Sequence, residues 1–498
     1  MPHGESMPEW LRQRARLSPD RLALICGDDR WTFAQLDRRV SVVVARLATA
    51  GVVEGGRVAL LARNGSGFVQ IVHAVPRLGA VLVPLNVRLT ADELAWQIRD
   101  ADAGCLVYDE PNTENAAELK AMVPAVTPLS LAELTDRGED GRAEGVDLER
   151  ERVDLSAVHS VIYTSGTSGR PKGAMLTFGN HFWSAMGSAL NLGLRSDDRW
   201  LACMLLFHVG GLSILLRSVI YGSTVLVHES FDPDAVNRAI DDEEVTIVSV
   251  VATMLRRMLE ARGERSYPDS LRCVLAGGGP LPRPLLEECV RRGVPVVQTY
   301  GLTEAASQVT TQALDEVSRR IGSSGRPLFA TEVRIEGEGG GALAPGEPGE
   351  IVVRGPTVTS GYLNDPEATA QAQRDGWLHT GDIGYLDADG ELYVLDRRDD
   401  LIVSGGENVY PAEVEEVLRS HPGVQDAAVV GLPDERWGQQ VAAAVAPRLG
   451  VELEEAELLA FCRSKLASYK APACIRFVEE LPRNAAGKLL RRAVRDGW

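Results

Sequence analysis

The sequence lacks several features that would mark a special class of protein. Its seven cysteines are scattered through 498 residues without a Cys-x-x-Cys pair, which argues against a disulfide framework or a zinc site and fits a reducing compartment. No apolar run approaches the roughly 18 residues that span a bilayer. The residues up to Arg16 carry charges and no apolar stretch, so we expect no secretory signal and a cytoplasmic protein.

The sequence also has fewer basic residues than acidic residues. Lys and Arg number 52 against 70 Asp and Glu, a formal net charge of −18. Such an acidic surface repels phosphate backbones and anionic lipids, so the sequence predicts no nucleic-acid partner and no membrane partner. A local basic pocket for one small anion is still compatible with this charge. Nothing in the composition sets the oligomeric state, and a homo-oligomer is one option.

The composition that is present is typical of a folded α/β protein. Hydrophobic residues make up 45% of the chain, and the length suits about three domain equivalents. Apolar strands alternate with helical patterns, as in the strand Arg57–Ala62 before the helix Gly67–Arg77. This rhythm predicts parallel-rich sheets covered by helices.

The pattern of predicted strands and helices changes twice after this first part. From about Thr331, strands separated by glycine turns predict a β-rich subdomain. Beyond the charged cluster Asp396–Asp400, a self-contained stretch predicts a small α+β C-terminal domain. We therefore expect a large N-terminal domain over 1–398, with the β-rich subdomain at about 331–398, and a C-terminal domain over 399–498.

The strongest local signal is a glycine-rich segment after the apolar strand Val158–Ile162. It reads Tyr163-Thr-Ser-Gly-Thr-Ser-Gly-Arg-Pro-Lys-Gly173, and its N–H groups, hydroxyls and ammonium can surround a polyphosphate. Pro171 before the lysine separates it from the Walker pattern. A flexible linker is the alternative, but the adjoining strand and the Arg-Pro-Lys sequence argue against it. The expected phosphate-binding residues are Thr164, Ser165, Gly166, Thr167, Ser168, Gly169 and Lys172.

Four more segments follow this loop. They are Tyr300-Gly-Leu-Thr-Glu304, Thr380-Gly-Asp382, the stretch Asp396–Pro411 and Pro482-Arg-Asn-Ala-Ala-Gly-Lys488. With them the sequence resembles, from about residue 160 to its end, the adenylate-forming superfamily of acyl-CoA synthetases, peptide-synthetase adenylation domains and firefly luciferase. The resemblance implies that a small carboxylic acid reacts with ATP to give an acyl-adenylate and pyrophosphate, after which the thiol of CoA displaces AMP. The implied cofactors are ATP, Mg²⁺ and CoA.

The resemblance also implies how the nucleotide is held. Lys172 and its loop hold the β- and γ-phosphates, Thr303 contacts the α-phosphate, and Glu304 binds Mg²⁺, which prefers oxygen ligands. The remaining implied contacts are Asp382 and Arg397 at the ribose, Gly277, Gly278 and Gly279 against adenine, and Tyr300 stacked on that ring.

The end of the chain carries implied roles that depend on domain movement. The resemblance implies that Lys488 bridges the reacting carboxylate and the α-phosphate during adenylation. It also implies a mobile C-terminal domain that then swings about a hinge at Asp399, which removes Lys488 and brings Gly405 and Gly406 to the tunnel for the pantetheine of CoA.

The segment around Phe207–Gly222 bears on the acid, and Leu205–His208 at its start is expected to end a strand. Together with 298–308 and 404–408 it is most similar to the o-succinylbenzoate–CoA ligases of menaquinone biosynthesis, and His208 takes the position of their aromatic gate. That acid has a second carboxylate, which needs a partner when it is buried. Arg217 is the candidate, although it equally fits a side chain that reaches the surface. Ser307 and Gln308 are candidates for neutral hydrogen bonds, and Gly210 stands where those ligases often have a serine.

Other functions remain open at this point. A CoA ligase for another aromatic or medium-chain acid has the same nucleotide motifs. A luciferase-like oxygenase has no specific support in the sequence. A non-catalytic nucleotide-binding protein is expected to lose its charged groups, whereas the ones implied here are all present: Lys172, Glu304, Asp382, Arg397 and Lys488.

Overall fold

The computed structural model describes most of the chain. The described residues are 6–136, 150–165, 171–279, 281–317, 319–337, 339–396, 401–482, 489 and 491–498. Their helices are α1 (Trp10–Leu17), α2 (Phe33–Thr49), α3 (Ser66–Arg77), α4 (Ala91–Asp100), α5 (Thr113–Met122), α6 (Leu131–Thr135), α7 (Phe178–Leu192), α8 (Val209–Tyr221), α9 (Pro233–Asp242), α10 (Ala252–Arg262), α11 (Arg283–Arg291), α12 (Pro366–Ala372), α13 (Pro411–Arg419), α14 (Glu455–Lys465) and α15 (Arg491–Asp496), with 3-10 turns at Glu110–Asn112 and Thr303–Ala305.

The strands of the same residues form several sheets. They are β1 (Ser6–Pro8), β2 (Leu22–Cys26), β3 (Asp29–Thr32), β4 (Arg57–Leu61), β5 (Val81–Pro84), β6 (Cys105–Tyr108), β7 (Thr127–Ser130), β8 (Arg152–Asp154), β9 (Val158–Ser165), β10 (Pro171–Thr177), β11 (Arg199–Ala202), β12 (Thr224–Val227), β13 (Ile247–Val250), β14 (Cys273–Ala276), β15 (Val296–Leu302), β16 (Ser307–Thr311), β17 (Arg326–Pro327), β18 (Glu332–Glu336), β19 (Gly349–Arg354), β20 (Gln373–Arg374), β21 (Trp377–Leu386), β22 (Leu392–Asp396), β23 (Ile402–Ser404), β24 (Glu407–Val409), β25 (Val424–Asp434), β26 (Gly438–Pro447) and β27 (Cys474–Phe477).

Two large sheets build the N-terminal domain. One has the order β10-β9-β5-β4-β6-β7, and the other has the order β17-β16-β15-β14-β13-β11-β12-β2-β3. Their central strands run parallel and are short apolar runs buried along their whole length, such as Ile247–Val250. Strands of this kind need helices on both faces. The prediction of an α/β fold with parallel-rich sheets is confirmed.

Two smaller sheets follow. Strands β18 to β22 form the β-rich sheet, and β23 to β27 form the sheet of the small C-terminal domain. In that last sheet β25 and β26 are long antiparallel strands and β27 adds in parallel. The large and small domains expected from the sequence are both present, while the residue boundaries assigned to them stay a prediction.

Two local predictions are wrong in detail. Lys172 lies on β10, where it pairs with Thr164 of β9, so the expected loop is shorter than the motif. The strand expected to run up to His208 ends at Ala202 instead. Beyond it the Asn64 side chain donates to the Met204 carbonyl at 2.8 Å and accepts from the Leu206 amide at 3.0 Å, which takes the backbone out of the sheet ladder.

Two exclusions made from the sequence can be compared with the structure. All seven cysteines are free thiols, as expected. Within the described ranges, no helix has the length and apolar character that crossing a membrane requires.

Candidate active site

A cavity of about 400 Å³ lies between the two large sheets and the small domain. Its floor is built by residues that follow β5, β11, β13 and β14, at the carboxyl ends of parallel strands, where ligands of open α/β sheets usually bind. The cavity brings together residues that the sequence placed in separate motifs: Thr164, His208, Arg217, Gly277, Gly278, Thr303, Glu304, Ser307, Gln308, Asp382, Gly405 and Gly406.

Some predicted residues are not among those that the structure describes. Gly166, Thr167, Ser168, Gly169, Arg397, Asp399 and Lys488 lie outside the described residues, and only the backbone of Ser165 is described. The described part of the glycine-rich segment still places Lys172 near the cavity, with its ammonium 5.4 Å from the ring centroid of Tyr362.

Glu304 stands on the short turn after β15 and faces the cavity. Its Oε1 accepts hydrogen bonds from Tyr362 at 2.9 Å and from Thr164 at 3.3 Å. Among the described residues, no cluster of three or more His, Cys, Asp or Glu side chains is arranged to hold a metal. A lone carboxylate fits Mg²⁺, because this ion commonly takes one or two carboxylates and completes its shell with phosphate oxygens and water.

Asp382 faces the same cavity from β21. Its Oδ2 accepts a hydrogen bond of 2.7 Å from the hydroxyl of Tyr300. The Tyr300 ring is 5% exposed and packs in the core of the β-rich sheet, so its stacking on adenine stays a prediction.

The glycines after β14 present bare backbone to the cavity. A β-carbon at Gly277 would lie 2.7 Å from Thr299 Cγ2, and Gly278 has a φ of +74° that favours glycine. A β-carbon at Gly279 would lie 3.8 Å from Cγ1 of Val403, which belongs to the small domain.

Arg217 is buried at the other end of the cavity. The residue is 2% exposed, so its side chain does not reach the surface. Its Nη2 donates to Ser184 Oγ at 3.3 Å, its guanidinium lies 5.5 Å from the Trp200 ring centroid, and its Nε has no partner. No described carboxylate forms an ion pair with it, and burial lowers its pKa. Such a site favours an anion brought by a ligand.

Ser307 and Gln308 lie close to this arginine through a strained turn. Ala306 and Ser307 have φ angles of +52° and +99°, in the region that disfavours side chains. Ser184, on α7, donates from its hydroxyl to the Ala306 carbonyl at 2.7 Å and thereby joins the turn to Arg217. The Oε1 atom of Gln308 is buried without a partner beside the cavity.

His208 is the N-cap residue of α8, and its side chain contacts the small domain. Its Nε2 lies 3.0 Å from Oε2 of Glu407, whose Oε1 accepts from Arg88 at 3.0 Å. Burial alone would raise the pKa of Glu407, but His208 and Arg88 outweigh it and hold that pKa below its usual range. Gly210, the departure noted in the sequence, leaves room for Met204, whose Cε would lie 3.0 Å from a β-carbon there.

Gly405 and Gly406 reach the cavity from the small domain with φ angles of +59° and +84°. A β-carbon at Gly405 would lie 2.8 Å from the Trp437 ring, and one at Gly406 would lie 3.5 Å from Val251 of the large domain. Glycine is therefore needed where this loop closes on the cavity.

Comparison with known families agrees with this assembly of motifs. The AMP-binding enzyme family matches residues 11–363, and the AMP-binding enzyme C-terminal domain matches residues 413–488. The chain belongs to the AMP-binding enzyme family.

Relatives of this AMP-binding enzyme align with nearly its whole length. The 2-succinylbenzoate–CoA ligase of Bacillus mycoides is 50% identical over 492 residues, which are 99% of this chain and 98% of that protein. The o-succinylbenzoate CoA synthetase of Bacillus subtilis, as a double mutant bound with its product analogue OSB-NCoA, has a TM-score of 0.93 at 44% identity, with 99% of this chain and 98% of that chain covered. The same synthetase in complex with its acyl-adenylate intermediate OSB-AMP has a TM-score of 0.76 at 43% identity, with 99% of both chains covered.

Sequence reasoning missed three residues of this AMP-binding enzyme's site. Tyr362 contacts both Lys172 and Glu304, Ser184 supports Arg217, and Glu407 pairs with His208. Glu407 lies within the motif Asp396–Pro411, so its charge and position were a signal that could have identified it. Tyr362 and Ser184 carry no charge and lie outside those motifs, so nothing local distinguishes them from core residues.

Proposed function

We propose that this chain is an AMP-forming acid–CoA ligase that acts on 2-succinylbenzoate in menaquinone biosynthesis. In the first step a carboxylate oxygen attacks the α-phosphorus of ATP, the bond to pyrophosphate breaks, and an acyl-adenylate forms. In the second step the sulfur of CoA attacks the acyl carbon, AMP leaves, and the thiol proton goes to solvent. The relatives with this activity, matched over nearly the whole chain, support the assignment.

Nucleotide binding is assigned to the large-domain end of the cavity. Lys172 and the glycine-rich segment hold the β- and γ-phosphates, and Thr303 contacts the α-phosphate. Asp382 accepts from the ribose hydroxyls, and Arg397 assists at the ribose. Glu304 holds Mg²⁺, which supplies positive charge to the phosphate oxygens when it is bound. Tyr362 orients Glu304 through its hydrogen bond of 2.9 Å. Lys488 neutralises the approaching carboxylate and phosphate in the first step.

The acid is assigned to the opposite end of the cavity. Arg217 binds the carboxylate that does not react, Ser307 and Gln308 supply hydrogen bonds, and His208 forms the gate. Gly405 and Gly406 line the route by which the CoA thiol arrives. The observation that carries the choice of a dicarboxylate is the buried Arg217 guanidinium, which lines the cavity without a carboxylate partner among the described residues. An acid with a second carboxylate supplies the missing charge.

A coupled pyrophosphate assay tests the proposal. Wild-type protein with ATP and Mg²⁺ is given 2-succinylbenzoate, benzoate or octanoate, with and without CoA. We expect turnover that depends on CoA and strongly favours 2-succinylbenzoate. Equal or greater turnover of benzoate or octanoate would contradict 2-succinylbenzoate as the substrate. Oxygen consumption that does not depend on CoA would contradict the assignment as an acid–CoA ligase.

Arg217→Leu tests the carboxylate anchor separately. Losing a hydrogen-bonded charge should lower kcat/KM for 2-succinylbenzoate about 10- to 100-fold, whereas benzoate turnover should change little because benzoate has no second carboxylate. Arg217→Lys is the conservative control and should retain part of the activity. The fold should tolerate the change, since the removed charge is buried without an acidic partner. Unchanged kcat/KM for 2-succinylbenzoate would contradict the anchor.

A further inference from the structure

Lys470 of the small domain is buried between carboxylates from both domains. It is 3% exposed, and its ammonium donates to Glu413 Oε1 and to Glu93 Oε1, each at 2.7 Å. Glu413 belongs to α13 of the small domain, and Glu93 belongs to α4 of the large domain. One lysine therefore bridges the two domains through a pair of charged hydrogen bonds.

The two carboxylates stabilise this buried charge. Burial alone would lower the pKa of Lys470, but Glu413 and Glu93 outweigh it and the pKa is raised. Glu413 and Lys470 lie in the same domain and can remain paired when the domain moves. Glu93 is the contribution that depends on how the two domains are arranged. A buried ammonium that loses one of its partners pays a desolvation penalty.

Glu93 is held in position by its own helix. Its Oε2 accepts from the amide and the hydroxyl of Thr90, at 2.8 and 2.9 Å, in the capping box that starts α4. The same oxygen also accepts from the Ala467 amide of the small domain at 3.1 Å. Close by, Asn86 donates to the Tyr469 hydroxyl at 3.2 Å. The large domain thus presents a preformed receptor to the segment around Lys470.

These contacts occur in one particular arrangement of the domains. The chain has a TM-score of 0.93 with the B. subtilis synthetase bound with its product analogue and 0.76 with the same synthetase in complex with its acyl-adenylate. In the arrangement seen here, Gly405 and Gly406 lie on the cavity wall. The contacts of Lys470 therefore belong to the arrangement that has the proposed CoA route in place.

We propose that Glu93 and Lys470 are positioning residues for the thioester-forming step. Neither residue is assigned a contact with the reacting atoms. Their ion pair holds the small domain so that Gly405, Gly406 and Glu407 stay at the cavity while CoA reacts. Adenylation, for which the sequence resemblance implies a different domain arrangement, does not need the pair. The inference rests on the proposed two-step function.

Glu93→Gln provides the test, because it removes one charge and keeps the side-chain shape. Its amide oxygen can still complete the capping box with Thr90, but an N–H₂ group would then face the Lys470 ammonium. We expect CoA-dependent consumption of supplied acyl-adenylate to slow about 10- to 100-fold, while pyrophosphate release in the adenylation step stays within about twofold. Glu93→Asp, which keeps the charge, should recover part of the lost rate.

Two control variants separate positioning from stability. Asp92→Asn removes an exposed charge from the same first turn of α4 and keeps Thr90, Glu93 and Lys470, so it should leave both half-reactions close to wild type. Glu413→Gln removes the partner inside the small domain, so its effect should not be confined to the CoA step.

The outcomes distinguish this inference from the proposed function. A CoA step that is unchanged in Glu93→Gln, or equally slowed in Asp92→Asn, overturns the positioning role. Loss of both half-reactions in Glu93→Gln overturns it as well. Absence of pyrophosphate release by the wild type with 2-succinylbenzoate overturns the proposed function instead.

Discussion

At the residue scale, the hydroxyl of Ser184 links two parts of the proposed acyl pocket. It accepts from Arg217 at 3.3 Å and donates to the Ala306 carbonyl at 2.7 Å, inside a core where Ser184 itself is 2% exposed. The turn it supports contains Ala306 and Ser307, both with positive φ, and leads directly to Gln308. Strained turns persist only where surrounding contacts hold them, so we expect this hydroxyl to orient both sides of the pocket.

Ser184→Ala is expected to raise KM for 2-succinylbenzoate about 10-fold, the typical effect of losing one hydrogen bond to a charged group. KM for ATP should change little. Steady-state kinetics with each substrate varied separately measures this difference. Ser188→Ala is the matched control, because Ser188 is a buried serine one turn further along α7 and does not line the cavity. A parallel rise in both KM values, or the same rise in the control, would contradict the role.

At the scale of elements, α3, β9 and α7 pack around buried histidines. The rings of His159 and His181 are 4.8 Å apart, and Ser160 Oγ lies 3.1 Å from His181 Nε2. Burial lowers the pKa of His73 and of His159 to about 3 and lowers the pKa of His181 well below its usual range, with the Arg217 charge adding to the effect at His181. All three rings are neutral in the folded protein at neutral pH.

The free energy of unfolding should therefore decrease as the pH is lowered, beginning at a pH above that at which the carboxylates titrate. Below pH about 6.5 the unfolded chain binds protons at these histidines and the folded chain does not, so stability is lost as pH falls from about 6.5 toward about 3. Each histidine should cost about 1.4 kcal/mol per pH unit within this window. Urea unfolding at pH 7.5, 6 and 5 measures the slope. His159→Phe should reduce it, and an identical slope in that variant would assign the effect to other groups.

Elements also show where prediction from sequence succeeds and where it stops. The strand expected over Arg57–Ala62 and the helix expected over Gly67–Arg77 are found within one residue of those bounds, at Arg57–Leu61 and Ser66–Arg77. Their apolar patterns report burial directly. The strand expected to reach His208 ends at Ala202, because the distant Asn64 side chain binds the backbone that follows. A contact between residues so far apart along the chain leaves no local signal.

At the scale of the whole molecule, the proposed function uses two arrangements of the small domain, one for each half-reaction. The proposed role of Lys488 belongs to one arrangement, and the Glu93–Lys470 ion pair belongs to the other. Lys488→Ala is expected to abolish adenylate formation and to spare thioester formation from supplied acyl-adenylate. This is the reverse of the result expected for Glu93→Gln. Separate assays of the two half-reactions measure both, and equal loss of both steps in Lys488→Ala would contradict the division.

The sequence alone determined the class of fold, the order of the nucleotide motifs and the resemblance to acid–CoA ligases. Hydrophobic periodicity and short motifs act over a few residues, so they are readable without coordinates. Only the tertiary structure decided that Arg217 is buried on the cavity wall, that Tyr362 supports Glu304, and that Glu93 meets Lys470. Each of these contacts joins residues that are far apart in the sequence and come together only in the folded core. Burial in that core makes an unpaired charge costly, and this cost cannot be inferred from the local sequence.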